Sequence, residues 1–288
     1  MLPRAQPLTT RQSDFANRAA TVLQTPDLVA FWDFQNADFS AISPHQIRLE
    51  TVGEAPRIEN SGVFGPNCAR FESEGFISRG FLRATFQDAP QLSIGGPDAQ
   101  LSIVAWLKRA RRPAEEHNGC QFVAGVWNKH GGRQYGMFLN LQIWDSGEQV
   151  GAHISRDGGA TPGFPYCMDA AIGATQIGIE TWHCAAISYD GQNAKVFLDG
   201  VLDAREPQGE PCRNPFFYPA GLLDGDADFT IGAVERPAKV VTNADGSFSE
   251  QGALLANPFV GCLGGLAIFE RALSEAELKA LAALIEGN

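Results

Sequence analysis

The 288-residue sequence predicts an all-β protein, an antiparallel sandwich of two sheets. Three observations support this fold class. Short β-forming runs bounded by turn residues recur along the chain, helical periodicity is confined to segments near the two ends, and residues 181–203 have the pattern of two strands joined by a tight turn. With 44% hydrophobic residues the chain can bury a full core, and sandwiches of this length are commonly one domain.

The stretch from Thr181 to Asp203 is the clearest of these patterns. Apolar and small residues run from Trp182 to Tyr189, and the next four residues, Asp-Gly-Gln-Asn, tolerate the positive φ that a tight turn requires. A second β-rich run follows and ends at Asp199-Gly200. We therefore expect two neighbouring strands of one antiparallel sheet.

Helices are expected near the two ends of the chain. Residues 9–24 place Phe15 and Val22 at helical spacing, which predicts a short amphipathic helix outside the main fold. Ser274 and Glu277 have the spacing of a capping box and predict a terminal helix of about three turns. The expected organisation is a helical extension over residues 1–26, followed by a sandwich domain over residues 27–288 that ends in this helix.

The strands between these helices are predicted from β-forming runs and the turns that separate them. They cover residues 28–34, 68–71, 75–77, 92–94, 101–107, 122–127, 134–144, 149–155, 229–234 and 266–269, together with the two strands of the 181–203 stretch. The run from Leu101 to Leu107 is apolar on both faces, which is typical of a central strand packed on both sides.

Four of these segments resemble the laminin-G-like, concanavalin A-like jelly roll, the two-sheet sandwich of many lectins, pentraxins and carbohydrate-binding modules. Residues 31–34, Phe-Trp-Asp-Phe, resemble its opening strand, and residues 101–107 its central strand. Residues 182–200 resemble its hairpin, and residues 261–274 its closing strand and the start of its last helix. The resemblance covers roughly residues 28–285 and implies a jelly-roll topology.

Saccharide or glycan recognition is the commonest role in this superfamily, so the resemblance implies a carbohydrate partner. The same fold also hosts hydrolases, lyases and protein-binding modules. Where many relatives carry an Asp-Glu pair in the closing strand, near a bound calcium ion, this chain has Gly264-Gly265. Glycine offers no carboxylate, so calcium is not implied at that position.

The formal net charge is −11 at pH 7. The sequence has no basic stripe. Because Lys and Arg supply most of the affinity for nucleic acids and anionic membranes, this argues against either as a partner. No membrane span is apparent, and residues 1–27 lack the apolar stretch of a secretory signal. We therefore expect a cytoplasmic location. The six cysteines form no Cys-x-x-Cys pair and are expected to be reduced and buried.

Several enzyme signatures are absent from the sequence. It has no G-x-S-x-G, H-E-x-x-H or Walker A motif, and no G-x-G-x-x-G after a strand. It also lacks the E-x-D-x-E strand with which glucanases of this fold direct paired carboxylates into one groove. These absences favour binding over catalysis. A glycoside hydrolase or polysaccharide lyase that uses scattered residues stays an alternative, as does a protein-interaction module.

Residues 126–169 are unusually rich in side chains that bind sugars. If residues 134–144 form one strand, alternation places an apolar set in the core: Tyr135, Met137, Leu139, Leu141 and Ile143. The opposite face mixes amides with aromatic rings, which can hydrogen-bond hydroxyls and stack on pyranose rings. The candidate ligand-binding residues are Trp127, His130, Arg133, Asn140, Gln142, Trp144, His153, Arg156, Asp157 and Tyr166.

One acidic turn is a candidate calcium site. Asp224, Asp226 and Asp228 alternate like the start of a calcium-binding loop. The twelfth position from Asp224 is Glu235, but the residues before it form a β-forming run rather than a loop. Two interpretations therefore stay open: a calcium site, or an acidic turn that caps the strand beginning at Phe229.

Overall fold

The protein is described by a computed structural model. It describes residues 10–43, 45–74, 77–111, 119–128, 131–163, 169–208, 211–236, 239–242, 248–251 and 254–285. Within these residues the chain is mostly β-strand, with helices near its two ends and a single turn of 3₁₀-helix at Pro90–Leu92. The all-β fold class predicted from the sequence is confirmed.

The first sheet contains, in chain order, β1 (Leu28–Trp32), β3 (Arg57–Glu59), β4 (Cys68–Phe71), β8 (Leu101–Arg109), β13 (Trp182–Tyr189), β14 (Asn193–Leu198), β15 (Val201–Leu202), β16 (Phe216–Phe217) and β22 (Gly261–Phe269). Its strand order is β15-β14-β13-β8-β22-β4-β3, with β1 also paired to β22 and β16 to β14. All of these pairs are antiparallel.

The second sheet contains β2 (Glu50–Gly53), β7 (Gly80–Ala84), β9 (Gln121–Asn128), β10 (Gly132–Leu139), β11 (Val150–Gly158), β12 (Ala170–Ile172) and β17 (Phe229–Ile231). It is also antiparallel, with the strand order β12-β11-β10-β9-β17-β7-β2. There are also two small sheets among the described residues. One contains, in spatial order, β18 (Val234–Arg236), β21 (Leu254–Ala256), β6 (Ile77–Ser78) and β5 (Ser73–Glu74). The other pairs β19 (Lys239–Thr242) with β20 (Phe248–Gln251).

The main hydrophobic core lies between the two large sheets. From the second sheet, Tyr135, Met137 and Leu139 of β10 face this core, as the alternation predicted. Ile103 and Leu107 of β8 contribute from the first sheet. Every second residue of a strand points the same way, so this arrangement leaves a second, outward face on each sheet.

The outward face of the first sheet is covered by the two helices, α1 (Thr10–Leu23) and α2 (Glu275–Ala282). Val22 of α1 and Leu278 of α2 join a second apolar cluster that includes Phe31 and Trp106. This layer explains why β8 is apolar on both faces, and the prediction of a central strand is confirmed. The predicted capping box is present, because Ser274 and Glu277 exchange hydrogen bonds. The helix it starts is eight residues long, shorter than predicted.

The Gly264-Gly265 pair of β22 is explained by packing on this outward face. A Cβ atom at Gly264 would lie 3.0 Å from Cη2 of Trp182 and 2.8 Å from Cγ2 of Val63. A Cβ atom at Gly265 would overlap the ring of Phe64. Large apolar side chains therefore fill the space beside both glycines and leave no room for a longer side chain at either position.

The prediction of one strand over residues 134–144 is wrong in its second half. β10 ends at Leu139, and Asn140, Gln142 and Trp144 have φ values of 55°, 50° and 54°. A positive φ turns the backbone out of the extended conformation, so side-chain alternation does not continue beyond β10. As a result Leu141 and Ile143 do not face the core between the sheets. They pack instead on the outward face of the second sheet.

Candidate functional site

The loop that follows β10 is ordered by its own polar side chains. Asn140 is buried and donates from Nδ2 to the carbonyl oxygen of Gly119 over 3.0 Å. Ser146 bonds both main-chain groups of Ile143, and Gln149 accepts a hydrogen bond from the amide of Gly147 through Oε1. These bonds fix a compact turn at residues 143–147 that projects Trp144 away from the sheets.

Trp144 is the most exposed tryptophan among the described residues, with 53% of its surface accessible. Its neighbours Leu141 and Ile143 belong to an outward-facing apolar cluster with Phe122 and Phe138. The loop is therefore anchored by its apolar residues while its indole ring stays in solvent. Gln142, in the same loop, is also exposed.

This loop is fastened to a second segment of the chain. Arg205 donates from Nη2 to the carbonyl oxygen and to Oδ2 of Asp145, over 2.9 and 2.7 Å. The Sγ atom of Cys212 lies 3.7 Å from the carbonyl oxygen of Ile143. Burial alone would raise the pKa of Asp145, but hydrogen bonds from Cys212 and Arg205 lower it below its ordinary value. Both residues that flank Trp144 are thus held against the segment 205–212.

A groove of about 660 Å³ runs along this second segment, which we call the edge groove. Its lining residues are Asn193, Arg205, Glu206, Pro207, Pro211, Arg213, Asn214, Pro215, Phe216, Phe217 and Pro219. Phe217 is 62% exposed, because it points outward from β16 while Phe216 is buried. The groove has the size of a small-molecule site and combines apolar walls with a few polar groups.

A buried polar chain lies on the other side of this region. His153 of β11 is 3% exposed, and its ring packs against those of Trp127 and Phe138 with centroids 5.2 and 5.0 Å apart. Its Nδ1 atom lies 3.6 Å from Oδ1 of Asp169, whose other oxygen accepts hydrogen bonds from the amide and hydroxyl of Thr161. Burial favours the neutral form of Asp169, but His153 and Thr161 outweigh it and lower the pKa of Asp169.

The chain of hydrogen bonds continues to the edge groove. The hydroxyl oxygens of Thr161 and Tyr218 are 2.9 Å apart, and Tyr218 stands between the groove residues Phe217 and Pro219. The amide of Arg156 donates to the same hydroxyl over 2.9 Å. The polar chain therefore supports one wall of the groove from inside.

The structure separates the candidate ligand residues into two groups. Trp127, Arg133 and His153 come together, with the Arg133 guanidinium 5.3 Å from the centre of the Trp127 ring. Trp127 and His153 are buried there, as is Asn140 in its own loop, so these three side chains offer little surface to a ligand.

Trp144, Gln142, Arg156 and Asp157 are exposed. The guanidinium of Arg156 bonds the carbonyl oxygen of Ala220, next to the edge groove. His130 and Tyr166 lie outside the described residues.

The acidic turn receives no support as a calcium site. Asp228 accepts a hydrogen bond from the amide of Phe86 through Oδ1 and has Oδ2 3.7 Å from Nε of Arg83. Asp224 and Asp226 are exposed. In the part of the chain that the structure describes, no three His, Cys, Asp or Glu side chains are grouped so that they could hold a metal ion. The geometry agrees with the other interpretation, a turn that supports the strand at Phe229.

The edge groove was not predicted from the sequence. Its signal is visible in retrospect as prolines alternating with Arg213 and Phe217 over residues 207–219. In a sequence, prolines indicate breaks between strands. Their second effect, a rigid apolar wall, depends on which segments lie beside them in the fold.

No family model matches the chain, and no curated protein matches it. Solved structures share its fold. One is domain 4 of AbnA, a GH43 extracellular arabinanase from Geobacillus stearothermophilus, in complex with arabinotriose. It is 17% identical, with a TM-score of 0.53 over 89% of this chain and 98% of that one.

A second is a structure of botulinum neurotoxin type C, whose cell entry depends on interaction with two ganglioside molecules. It is 10% identical, with a TM-score of 0.56 over 92% of this chain and 53% of that one. A third is Trypanosoma rangeli sialidase in complex with the inhibitor DANA, 12% identical, with a TM-score of 0.50 over 91% and 33%.

The chain thus spans nearly all of the arabinanase domain but only about half of the toxin structure. At these identities the likeness shows a shared β-sandwich fold. No helix among the described residues is long and apolar enough to cross a membrane.

Proposed function

We propose that this protein binds a carbohydrate in the edge groove, with Trp144 and Phe217 as stacking surfaces. The observation that carries the proposal is the exposure of these two large aromatic rings, 53% and 62%. Phe217 lines the groove, and Trp144 precedes Asp145, which is bonded to the groove residue Arg205. An exposed aromatic ring leaves apolar surface in contact with water, and a sugar ring stacked on it would bury that surface. Arg213 and Asn193, which line the groove, supply donors for hydroxyl groups.

Two further observations support sugar binding. Structures of the same fold include an arabinanase domain in complex with arabinotriose and a toxin whose entry depends on gangliosides. The edge groove also lies where the edges of the two large sheets meet, since β16 pairs with β14 and the amide of Ile172 in β12 donates to the carbonyl oxygen of Arg213. Strand edges and loops at a sandwich rim are common positions for binding sites.

Binding without hydrolysis fits this groove better than a glycosidase does. Glycoside hydrolysis generally needs two carboxyl groups about 5–9.5 Å apart on either side of the scissile bond. Glu206 is the one acidic side chain among the described residues that line the groove.

A glycan array followed by calorimetric titration of the hits tests the proposal. Trp144→Ala and Phe217→Ala should each weaken binding by about 1–3 kcal/mol, as loss of an interface aromatic does, and Trp144→Phe should retain most of the affinity. Val201→Ala is a matched control, because Val201 is 55% exposed and does not line the groove. Glycan binding that both alanine variants retain would place the site elsewhere.

Two other results would replace the proposal. Release of reducing ends or unsaturated products from a polysaccharide would show catalysis. If the protein binds no glycan on the array but binds a defined protein, and Phe217→Ala abolishes that protein binding, the chain would be a protein-interaction module.

A further inference from the structure

The segment that forms one side of the edge groove alternates strictly between buried and exposed side chains. Asn214, Phe216 and Tyr218 are buried, whereas the residues on either side of each are exposed. Every second residue of an extended chain points to the same side, and all of the exposed ones line the groove. They form a single row, which we call the outer row: Arg213, Pro215, Phe217 and Pro219.

Main-chain hydrogen bonds hold the outer row in place. The main-chain groups of Asn214 and Arg205 exchange two bonds of 3.0 and 2.8 Å, and the amide of Tyr218 donates to the carbonyl oxygen of Gln192 over 2.6 Å. Proline has a fixed φ and occupies two of the four positions in the row. The outer row is therefore a preformed surface, and a ligand that covers it loses little affinity to ordering of the protein.

Three of the four side chains in the outer row are apolar rings. Phe217 is 62% exposed, and a proline lies two residues away on each side of it. Pro207 and Pro211 add two more apolar rings to the groove lining. Because proline has no N–H group, these four lining residues offer a ligand no main-chain donor.

Two of the polar side chains that line the groove are used within the protein. Asn214 is 1% exposed, donates from Nδ2 to the carbonyl oxygens of Val196 and Asp203, and accepts from the amide of Val196. Arg205 bonds Asp145 through Nη2 and the carbonyl oxygen of Gly173 through Nη1. The polar side chains left to meet a ligand are those of Asn193, Glu206 and Arg213.

This balance of groups fits one sugar unit better than a chain of them. Asn193 is directly opposite Phe217 in the ladder between β14 and β16, so the two side chains point to the same face. One sugar ring can stack on Phe217 while its hydroxyl groups bond the polar side chains beside it. A second sugar unit would place hydroxyl groups against Pro219, where loss of their bonds to water is not compensated.

We propose that the ligand of the edge groove is a glycoside with one sugar unit and an apolar aglycone such as a phenyl group. This inference rests on the carbohydrate binding proposed above. The sugar stacks on Phe217 and bonds Asn193 and Arg213. The aglycone extends over Pro219, at the end of the outer row away from Arg213, and buries apolar surface that would otherwise stay in water.

The test is calorimetric titration of the full chain with matched methyl and phenyl glycosides of glucose, galactose, arabinose and N-acetylglucosamine. For the sugar that binds, the phenyl glycoside should bind about tenfold tighter than the methyl glycoside, the gain expected when roughly 60 Å² of apolar surface leaves water. Phenol, titrated alone, measures what the ring contributes without a sugar.

Pro219→Ala removes part of the apolar row and leaves the polar lining residues in place. The advantage of the phenyl glycoside should fall to about threefold in this variant, with the affinity for the methyl glycoside unchanged. Pro26→Ala is the matched control, because Pro26 is exposed and does not line the groove. It should keep the full difference between the two glycosides. Circular dichroism and thermal melts establish that each variant is folded.

The outcomes separate this inference from carbohydrate binding itself. Equal affinity for methyl and phenyl glycosides, or binding only of neutral oligosaccharides on the array, would overturn the inference and leave the sugar site in place. If phenol binds as tightly as the phenyl glycosides, the sugar contributes nothing, and carbohydrate binding in the groove is overturned as well.

Discussion

Trp106 donates a hydrogen bond from its indole Nε1 atom to the main-chain carbonyl oxygen of Leu281 over 3.0 Å. Trp106 is in the middle of β8, and Leu281 is in the last turn of α2. The same carbonyl oxygen also accepts a hydrogen bond from the main-chain amide of Leu284 over 3.3 Å. The indole of the central strand therefore adds a bond between layers, which helps to fix the terminal helix on the outward face of the first sheet.

We expect Trp106→Phe to lower the free energy of unfolding by at least about 0.5–1.5 kcal/mol, the net contribution of the hydrogen bond that is lost. Chemical denaturation followed by circular dichroism measures it. Trp144→Phe is the control, because Trp144 is exposed and makes no such bond to a helix. Equal stability of the two variants would mean that the bond to Leu281 contributes nothing.

We expect Gly265→Ala to destabilise the fold by about 1–3 kcal/mol, as overpacking of a filled site does. A Cβ atom there would overlap Phe64 and lie 3.1 Å from Cε3 of Trp106. Gly159→Ala is the matched control, since a Cβ atom at Gly159 meets nothing within 4 Å. The melting temperature of Gly265→Ala should therefore be lower than that of Gly159→Ala. A Gly265→Ala protein as stable as wild type would contradict the packing explanation.

Those parts of the fold that depend on local pattern could be predicted from the sequence. The β13–β14 hairpin follows from its turn residues, and β8 from apolar residues on both faces. The capping box at Ser274 is a local signal of the same kind. Each of these patterns is completed within a few residues, so distant packing does not change its outcome.

The candidate site was harder to predict because its geometry depends on distant contacts. Gln142 and Trp144 have positive φ, which their residue types do not favour, so nothing in the sequence marks the end of β10 at Leu139. Leu141 then packs on Phe138 of the outward face rather than in the main core. A second apolar layer makes inward and outward faces indistinguishable by hydrophobicity alone.

The capping box predicts a pH dependence of stability. A bidentate ion pair with Arg271 and two hydrogen bonds from Ser274 lower the pKa of Glu277 to about 2. The folded value is below the unfolded value of about 4.3, so this stabilisation is present in full above pH 5 and is lost as the pH falls toward 2.

We therefore expect the difference in melting temperature between wild type and Glu277→Gln to shrink as the pH is lowered from 5 to 2. Glu275→Gln is the control, since Glu275 is in the same first turn but is not part of the capping box. It should follow wild type over the whole range. A difference that stays constant between pH 5 and pH 2 would show that ionisation of Glu277 does not stabilise the helix.

Trp127 and Trp144 should respond oppositely to truncation, because one is buried in the outward-facing cluster and the other is in solvent. Trp127 is 5% exposed and packs edge-on against Phe138, with ring centroids 5.4 Å apart. Trp127→Ala should lower the free energy of unfolding by about 3–5 kcal/mol. Trp144→Ala should change it by no more than about 0.5 kcal/mol, as is usual for surface positions.

Denaturant titrations of the two variants, run beside wild type, measure both values. If Trp144→Ala lowers the free energy of unfolding by several kcal/mol, or fails to fold, the indole ring stabilises the loop and is not a free surface for ligand binding. That result would remove the stacking surface on which carbohydrate binding in the edge groove depends. A stable Trp144→Ala protein that has lost glycan binding would assign the ring to recognition, because the same substitution would then separate affinity from folding.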